Sequence, residues 1–240
     1  MIYLASSSPR RRELLGQVGY EFVVRPSGYD EAPLKAAGLA PDVLVRELAS
    51  AKALDVARAL GARAEALVAT ASDARPNDVV IGADTVVVRD GVVLGKPHDE
   101  RDAVAMLRSL SGRSHQVLTG VSVVGTAPVG NDAAPGDPRQ GGGVSAVVRQ
   151  VTFCETTTVS FYDLDEARIA AYVATGEPMD KAGSYGIQGL GALLVRGIEG
   201  DYCNVVGLPV ARLARVLDEM GVPRGDAWVC DRTAPDDDRN

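Results

Sequence analysis

Runs of β-branched residues alternate with helix-like segments along the chain, and this alternation is the feature that most constrains its fold. Val79–Val88 is a valine-rich run bounded by an Arg-Asp-Gly turn, and the short apolar run Val92–Leu94 follows it. Both runs predict strands. Asp42–Leu60 carries its apolar residues on one stripe with helical spacing, which predicts a helix. Strands that alternate with helices indicate an α/β or α+β fold.

The remaining segments continue this pattern. We predict further strands at Ile2–Ala5, Tyr20–Pro26, His115–Gly125 and Val148–Tyr162, and helices at Asp99–Leu110, Asp163–Pro178 and Leu208–Met220. Residues 125–143 contain six glycines and three prolines, which indicates a mobile excursion at the tip between two strands. Because the tail turns polar after residue 223, we expect one domain over 1–222, in one body or two lobes, and a frayed tail over 223–240.

Charge and cysteine content restrict the class of partner and the compartment. The net charge is −7, whereas a nucleic-acid binder usually presents a basic face, so we expect no nucleic-acid partner. No apolar run approaches the ~18–20 residues of a membrane span and the N-terminus lacks a signal-peptide pattern, so we expect no membrane partner. Three widely separated cysteines without a Cys-x-x-Cys pair favour a reducing, cytoplasmic location over a disulfide or zinc framework.

The first helix is predicted to begin at a concentration of cations. Ser6–Ser8 are small capping residues, Pro9 suits the first helical position, and Arg10–Arg12 then occupy the first turn. The positive end of the helix dipole disfavours a cation by roughly 0.3–1 kcal/mol, so the cluster indicates an anion that compensates it. Backbone N–H groups and guanidinium forks both match phosphate oxygens. A solvated basic turn is the alternative, and Arg12 is expected to be solvated in either case.

Asp84 is the second candidate, because it lies inside an apolar strand. An unpaired carboxylate in such surroundings costs several kcal/mol or is forced to take up a proton. A metal ion or a substrate-bound water would supply the missing partner, whereas an aspartate that caps a neighbouring loop is the structural alternative. Thr85 is expected on the opposite face of the strand.

Two lysines are further candidates. Lys52 falls on the apolar stripe of the helix Asp42–Leu60, so it either extends its amine to solvent or meets an anion. Lys96 lies between Gly95 and Pro97 in a turn close to the Asp84 strand pair, and a solvated turn lysine is the alternative there. Two lysines and two arginines near one carboxylate would suit a triphosphate with its metal.

A glycine-rich stretch, Asp180–Pro209, holds seven glycines in thirty residues. This density indicates either tight structural turns or close approach of the backbone to a ligand. Within it, Gln188 offers the donor and the acceptor that the edge of a nucleobase requires. The chain has no Gly-x-Ser-x-Gly, Gly-x-Gly-x-x-Gly or P-loop pattern, which disfavours nucleophilic catalysis, a dinucleotide fold and a P-loop.

Taken together, these segments resemble the Maf family of nucleoside triphosphate pyrophosphatases over nearly the whole chain. The matching segments, in order, are "LASSSPRR", "SGYDE", "ASAKA", "VVIGADTVVV", "LGKP", "LSGRSHQVLTGV", "DKAGSYGIQGLGA" and "IEGDYCNVVGLP". The excursion at 125–143 and the tail depart from the pattern. The resemblance implies an elongated, two-lobed mixed α/β fold with helices flanking a sheet around a central cleft, similar to the inosine triphosphate pyrophosphatases. Such proteins are often dimeric, so a homodimer is an expected assembly.

The resemblance also implies a reaction and a set of site residues. The family hydrolyses a nucleoside triphosphate to monophosphate and pyrophosphate with a divalent cation, Mg²⁺ or Mn²⁺. Asp84 would be the proton acceptor and a metal ligand, with Glu31 as a second metal or water partner. The residues expected to bind substrate are Ser6, Arg10, Arg11, Lys52, Thr85, Lys96 and Gln188, of which Arg11, Lys52 and Lys96 would hold phosphates.

The branch of the family is predicted from Arg10, Thr85 and Gln188. These residues, in "SPRR", "ADT" and "GIQG", match the branch that acts on thymidine and uridine triphosphates, so we expect dTTP and UTP, with modified pyrimidine nucleotides, as house-cleaning substrates. Two alternatives stay open at this point. One is hydrolysis of 7-methyl-GTP, and the other is a non-catalytic nucleotide-binding regulator of septum formation.

Overall fold

The computed structural model describes residues 1–68, 78–127, 147–222 and 224, and these form a seven-stranded mixed sheet with helices on both faces. The strands are β1 (Ile2–Leu4), β2 (Phe22–Val24), β3 (Val79–Arg89), β4 (Val92–Leu94), β5 (Ser114–Ala127), β6 (Val147–Phe161) and β7 (Val195–Glu199). The order across the sheet is β2-β1-β3-β5-β6-β7, with β4 paired to β3. Pairs β1–β2 and β1–β3 are parallel and the others antiparallel. The predicted mixed α/β class is confirmed.

The helices follow from capping and periodicity in the sequence. They are α1 (Pro9–Gln17), α2 (Ala32–Ala36), α3 (Pro41–Val68), α4 (Glu100–Leu110), α5 (Glu166–Val173), α6 (Tyr202–Val206) and α7 (Val210–Glu219), with 3-10 turns at Glu177–Asp180, Ala182–Ser184 and Gly189–Leu194. The side chains of Ser8, Asp99 and Asp165 cap α1, α4 and α5 by accepting a backbone N–H of the first turn. Within the described ranges, no helix combines the length and apolar character that crossing a bilayer requires.

The helices cover the two faces of the sheet unequally. Residues at odd positions of β3 face the helices α1, α4, α5 and α7, and they join two large hydrophobic clusters, one around Leu15, Ile81 and Leu213 and one around Leu107, Phe161 and Ile169. Residues at even positions face α3 and join two smaller clusters. Each face therefore has apolar packing towards both ends of β3, and the centre of the strand is left for polar residues.

The centre of β3 is also where the sheet opens at one side. Strand β5 pairs with β3 over Val79–Val88. On the other side, β1 covers Val79–Ile81 and β4 covers Val87–Arg89. In the part of the chain that the structure describes, no strand covers residues 82–86 on that side. This gap exposes one backbone edge of the segment that carries Asp84.

Several predicted boundaries are corrected by the structure. Strand β5 continues to Ala127, so the first three residues of the predicted excursion at 125–143 belong to a strand, and 128–143 lie outside the described residues. The predicted tail 223–240 also lies outside them, apart from residue 224. The helix expected over Asp163–Pro178 is shorter, because Asp165 caps it and Ala174 ends it. The two-lobed shape and the likeness to inosine triphosphate pyrophosphatases stay predictions.

Candidate active site

A cleft of about 1430 Å³ lies beside the gap in the sheet, and every residue predicted to bind substrate or metal lines it. Among the described residues, its lining holds six cationic side chains, Arg10, Arg11, Lys35, Lys52, Lys96 and Lys181, and five carboxylates, Glu31, Asp84, Asp102, Glu177 and Asp180. The cleft thus has one more cation than anions although the chain carries −7. A local excess of positive charge in a concave, low-dielectric site favours an anionic ligand.

Asp84 lies at the base of this cleft and is only 9% exposed. Its Oδ1 accepts a hydrogen bond from Lys52 Nζ at 2.7 Å, so the partner that the buried carboxylate requires is a lysine. Lys52 reaches it from the apolar stripe of α3, which confirms that this lysine meets an anion. The other oxygen, Oδ2, receives no hydrogen bond from any described residue, and it is the atom left to contact water.

Glu31, at the N-terminus of α2, is the second carboxylate held by Lys52. Its Oε1 lies 2.7 Å from Lys52 Nζ, and its Oε2 lies 2.6 Å from Lys35 Nζ one helical turn later. Burial opposes ionisation of Glu31, but the hydrogen bonds and charges of the two lysines outweigh it and lower the pKa from 4.5 to about 2. Glu31 therefore stays ionised throughout the physiological range.

Two glycines let α3 approach the sheet closely enough for Lys52 to reach Asp84. A Cβ on Gly82 would lie 2.2 Å from the carbonyl oxygen of Ala49, and a Cβ on Gly120 would lie 2.1 Å from that of Val45. Both oxygens belong to the backbone of α3, which cannot give way as a flexible side chain could. The glycines of "IGAD" and "LTGV" thus set the distance between helix and strand at the site.

Arg11 lies on the other face of β3 and is held by four hydrogen bonds. Its Nε donates to the carbonyl of Gly207, its Nη1 to the carbonyl of Ala83 and the hydroxyl of Ser6, and its Nη2 to the hydroxyl of Thr85. Burial lowers the pKa of Arg11 below its ordinary value, although the nearby charge of Asp84 acts to raise it. Four of the five N–H donors are thereby engaged inside the protein, and one is left for a ligand.

Thr85 faces away from Asp84, as the strand pleat predicts. Its hydroxyl lies 2.9 Å from that of Thr119 on β5 and also accepts a hydrogen bond from Nη2 of Arg11. Ser6, predicted to bind substrate, also has internal partners, since its Oγ accepts the backbone N–H of Ser8. The hydroxyl of Ser8 in turn accepts the N–H of Arg11. Two backbone N–H groups at the turn predicted to bind a phosphate, those of Ser8 and Arg11, thus already donate hydrogen bonds to serine oxygens.

Arg10 is paired across the cleft. Its Nη1 lies 3.2 Å from Oδ2 of Asp180, and Oδ1 of the same carboxylate lies 2.6 Å from Nζ of Lys181. Lys96 and Gln188 line the cleft with exposed side chains, and neither has an ion pair or side-chain hydrogen bond among the described residues. Arg12 is exposed and does not line the cleft. The structure therefore brings together all nine predicted residues, with Lys96 and Gln188 the least engaged.

The donor set fits a divalent cation that arrives with a nucleotide. Glu31 and Asp84 are neighbours, since each places a carboxylate oxygen 2.7 Å from Lys52 Nζ, and a cation held by both would share these carboxylates with the lysine. Carboxylate oxygens are ligands that Mg²⁺ and Mn²⁺ prefer. In the described ranges, no group of three or more His, Cys, Asp or Glu side chains could hold a metal by itself. Mg²⁺ is usually held by one or two carboxylates together with substrate phosphates, which is the set that these residues could provide.

Sequence reasoning missed five charged residues of the cleft, Lys35, Asp102, Glu177, Asp180 and Lys181. Lys35 carried a signal, because it follows Glu31 by four residues, the spacing of a helical ion pair. Asp180 and Lys181 open the glycine-rich stretch, in which the sequence pattern points to the glycines and Gln188 and not to these two residues. Glu177 had no signal of its own, because its contacts depend on how residues 172 to 191 fold back on one another.

An interrupted mixed sheet, a carboxylate on the strand at the gap and an excess of cations around it define an α/β protein with a cleft for a polyanionic ligand. The chain belongs to the Maf-like protein family, whose sequence model matches residues 1–220. This confirms the family predicted from the motifs.

Curated relatives cover nearly the whole chain. This chain is 47% identical over 227 residues to the dTTP/UTP pyrophosphatase of Moorella thermoacetica, and the matched region spans 95% of this chain and 97% of the relative. It is 46% identical to the dTTP/UTP pyrophosphatase of Agathobacter rectalis over 92% of this chain and 98% of the relative. It is 42% identical to the dTTP/UTP pyrophosphatase of Bacillus pumilus over 92% of this chain and 97% of the relative.

Proposed function

We propose that this chain hydrolyses dTTP and UTP, together with modified pyrimidine triphosphates, to the monophosphate and pyrophosphate. The observation that carries the proposal is the carboxylate of Asp84, which Lys52 holds at 2.7 Å in a cleft with an excess of cations. The names of relatives that are 42–47% identical support the choice of substrate. A cytoplasmic location and a homodimer remain expectations from the sequence.

Asp84 is the proposed general base. Its Oδ1 is fixed by Lys52, so Oδ2 is the oxygen that accepts a proton from water. The water oxygen then bonds to the α-phosphorus, and the bond between that phosphorus and the oxygen bridging to the β-phosphorus breaks. The electron pair of that bond leaves on pyrophosphate. Lys52 thereby has two functions, because it orients the base and places a positive charge beside the reacting phosphate.

The triphosphate is proposed to lie along the cations of the cleft. Lys96 has an exposed amine with no ion pair among the described residues, and Arg11 has one N–H donor left for a phosphate oxygen. Glu31 and Asp84 would hold Mg²⁺ or Mn²⁺, which when bound would neutralise negative charge on the phosphates. Arg10, Thr85 and Gln188 are proposed to contact the base side of the nucleotide.

Replacement of the base tests the mechanism. Asp84→Asn keeps the size of the side chain and removes its basicity, so we expect kcat on UTP to fall by roughly 10²–10⁴-fold while UTP affinity changes little. Asp90→Asn is the matched control, because Asp90 lies on the exposed turn after β3, outside the cleft, with a positive φ that asparagine tolerates. Pyrophosphate release would be measured with dTTP, UTP, CTP, 7-methyl-GTP and ITP in Mg²⁺ or Mn²⁺.

The panel separates the alternatives. Unchanged turnover in Asp84→Asn would contradict Asp84 as the base. A preference of the wild type for 7-methyl-GTP would keep the reaction and contradict the pyrimidine substrate. Nucleotide binding without any turnover would favour the non-catalytic regulator.

A further inference from the structure

The carboxylate of Glu31 contacts a different lysine through each of its oxygens. Oε1 lies 2.7 Å from Nζ of Lys52, and Oε2 lies 2.6 Å from Nζ of Lys35. Glu31 directly precedes α2, yet its carboxylate does not cap that helix. The carboxylate of Asp30 accepts the backbone N–H of Ala32 there instead. The oxygens of Glu31 are therefore left to the cations of the cleft.

The two lysines are held to different degrees. The side chain of Lys52 is only 13% exposed, and its Nζ also donates to Asp84 at 2.7 Å. The side chain of Lys35 is 57% exposed, and among the described residues its amine pairs only with Glu31. An exposed ion pair contributes little to stability, whereas a buried carboxylate that loses its partner is strongly destabilising. Lys35 is therefore the lysine that can leave Glu31 at low cost.

The two lysines balance the charge of the two carboxylates. Glu31 and Asp84 together carry two negative charges. Lys35 and Lys52 lie 2.6–2.7 Å from them and carry two positive charges, so the four groups are neutral as a set. The set offers no net negative charge to a divalent cation, and the ammonium of Lys35 repels a cation at the same carboxylate. The phosphates of a nucleotide would supply the negative charge that these groups lack.

We propose that Lys35 holds the position of the divalent cation at Glu31 and leaves it when a nucleotide brings the metal, so that the nucleotide-free protein binds the cation only weakly. The inference rests on the proposed function, in which Glu31 and Asp84 hold the metal. Lys52 keeps its contact with Asp84 throughout. Lys35 acts through Glu31 and does not touch the reacting phosphate. The alternative is an ion pair that only stabilises α2, because Glu31 and Lys35 have the i, i+4 spacing of helical pairs.

The first test measures Mn²⁺ binding to the nucleotide-free protein by electron paramagnetic resonance. Lys35→Met removes the charge and keeps an unbranched side chain, so we expect the dissociation constant for Mn²⁺ to fall about fivefold, the effect of one exposed ion pair. Lys35→Arg keeps the charge and should keep the wild-type constant. Arg46→Met is the matched control, because Arg46 forms an i, i+4 pair with Asp42 outside the cleft. Its constant should change by less than about twofold.

The second test identifies the lysine that moves. A crystal structure would be determined with Mn²⁺ and the α,β-methylene analogue of UTP, which cannot be hydrolysed between those phosphates. We expect Nζ of Lys35 to lie more than about 4 Å from both oxygens of Glu31, beyond the range of an ion pair, and Lys52 to stay on Asp84. Continued contact of Lys35 with Glu31, or displacement of Lys52 in its place, would overturn the inference.

The outcomes of the Mn²⁺ titration separate this inference from the proposed function. An unchanged constant in Lys35→Met would overturn the inference and leave the helix-stabilising pair. An equal fall in Arg46→Met would also overturn it, because net charge alone would then explain the result. If the wild type releases no pyrophosphate from any nucleotide, the proposed function fails, and the Mn²⁺ constants of the nucleotide-free proteins still decide the inference. If neither the wild type nor Lys35→Met binds Mn²⁺, the inference is overturned whatever the turnover.

Discussion

The polar residues at the centre of strand β3 have different hydrogen-bond partners on its two faces. On the α3 face, Asp84, Lys52 and Glu31 are charged and open onto the cleft. On the opposite face, Thr85 and Thr119 are neutral and bonded to each other, and Thr119 donates to the carbonyl of Asn204 at 3.0 Å. Neighbouring residues of one strand thus face a cluster of ion pairs on one side and, on the other, a network of neutral side chains that the Arg11 guanidinium joins at Thr85; this second side is called the neutral face below.

The two faces also differ in whether their unpaired polar atoms can be reached from the cleft. On the Thr85 face, the amide nitrogen of Asn204 donates to the carbonyl of Val117 and the hydroxyl of Thr157. Asn204 Oδ1 and His115 Nδ1 are buried on this face without a hydrogen-bond partner among the described residues, and neither residue lines the cleft. On the Asp84 face, Oδ2 of Asp84 has no donor among the described residues. Because Asp84 lines the cleft, water or a ligand can reach this oxygen. Chemistry is expected on the face where an unpaired carboxylate oxygen opens onto the cleft.

Arg11 connects the two faces. It lies with Thr85, and its guanidinium supplies the hydrogen bond that the carbonyl of Ala83 lacks where β1 ends. Its charge nevertheless acts on Asp84 through the strand. The predicted phosphate-binding arginine therefore also completes the sheet at the gap, and the proposed contribution to binding would come from its charge and the one N–H that no described residue engages.

Apart from Asp84→Asn, the largest effect on this comparison is expected from Gly82→Ala, which changes the distance between α3 and the charged face of β3. The added Cβ would lie 2.2 Å from Ala49 O and 2.8 Å from Ala53 N, so α3 must move and carry Lys52 away from Asp84. We expect turnover to fall about 100-fold and the free energy of unfolding to fall by about 3 kcal/mol. Steady-state kinetics and urea unfolding would measure both quantities.

Gly197→Ala is the matched control for this substitution. Gly197 also lies in a strand, but nothing lies within 4 Å of a Cβ there, so turnover and stability should be unchanged. Wild-type turnover in Gly82→Ala would show that the Lys52–Asp84 contact does not depend on the approach of α3.

On the neutral face, one buried histidine should make the free energy of unfolding depend on pH. His115 is 3% exposed, and its Nε2 bonds to the hydroxyl of Tyr185 at 2.7 Å. Burial lowers its pKa from 6.5 to about 4. Between these values the unfolded chain takes up a proton that the folded chain does not, so acidification from pH 6.5 to 4 should remove up to about 3 kcal/mol of stability.

His115→Gln tests this expectation, because glutamine can bond to Tyr185 and does not titrate. Urea unfolding across pH 4 to 7 should give a steep curve for the wild type and a flatter one for the variant. Glu31, whose pKa is lowered to about 2, affects stability mainly at lower pH, from 4.5 downwards. Parallel curves for the two proteins would contradict the assignment to His115.

Much of this organisation was predictable from sequence, because it depends on local signals. The strand containing Asp84, the helix containing Lys52 and the opposite facing of Thr85 all follow from periodicity and the strand pleat. The family and its candidate site residues followed from motifs that are short and contiguous. The sequence predicted that the buried carboxylate of Asp84 needs a partner, a metal ion or a substrate-bound water, and that Lys52 either extends to solvent or meets an anion. In the structure the two side chains pair with each other.

What could not be predicted depends on contacts between distant segments. That Arg11 would engage Gly207, 196 residues away, has no local signal, and neither has the contact of Glu177 with Gly191. Asn204 looked like one residue of a glycine-rich stretch, yet it is fully buried and bonds to two strands. Such contacts arise only when the sheet has brought these segments together, so no spacing along the chain reveals them.

The smallest effect is expected from Asn204→Ala, which removes hydrogen bonds on the neutral face and leaves the charged face unchanged. The change leaves the carbonyl of Val117 and the hydroxyl of Thr157 without their donor in a buried site, so we expect the free energy of unfolding to fall by about 2 kcal/mol. Turnover of the folded protein should change by less than about threefold, because the hydrogen bonds lost lie on the face of the sheet opposite Asp84 and Lys52.

Ser160→Ala is the matched control for Asn204→Ala, since Ser160 bonds to Ser114 at an exposed position and its loss should change stability by less than about 0.5 kcal/mol. Urea unfolding and UTP turnover of the two variants would be compared with those of Asp84→Asn. The division between the faces predicts opposite patterns, with stability lost in Asn204→Ala and turnover lost in Asp84→Asn. If Asn204→Ala lowered kcat as strongly as Asp84→Asn and left stability intact, the neutral network would be part of the catalytic site.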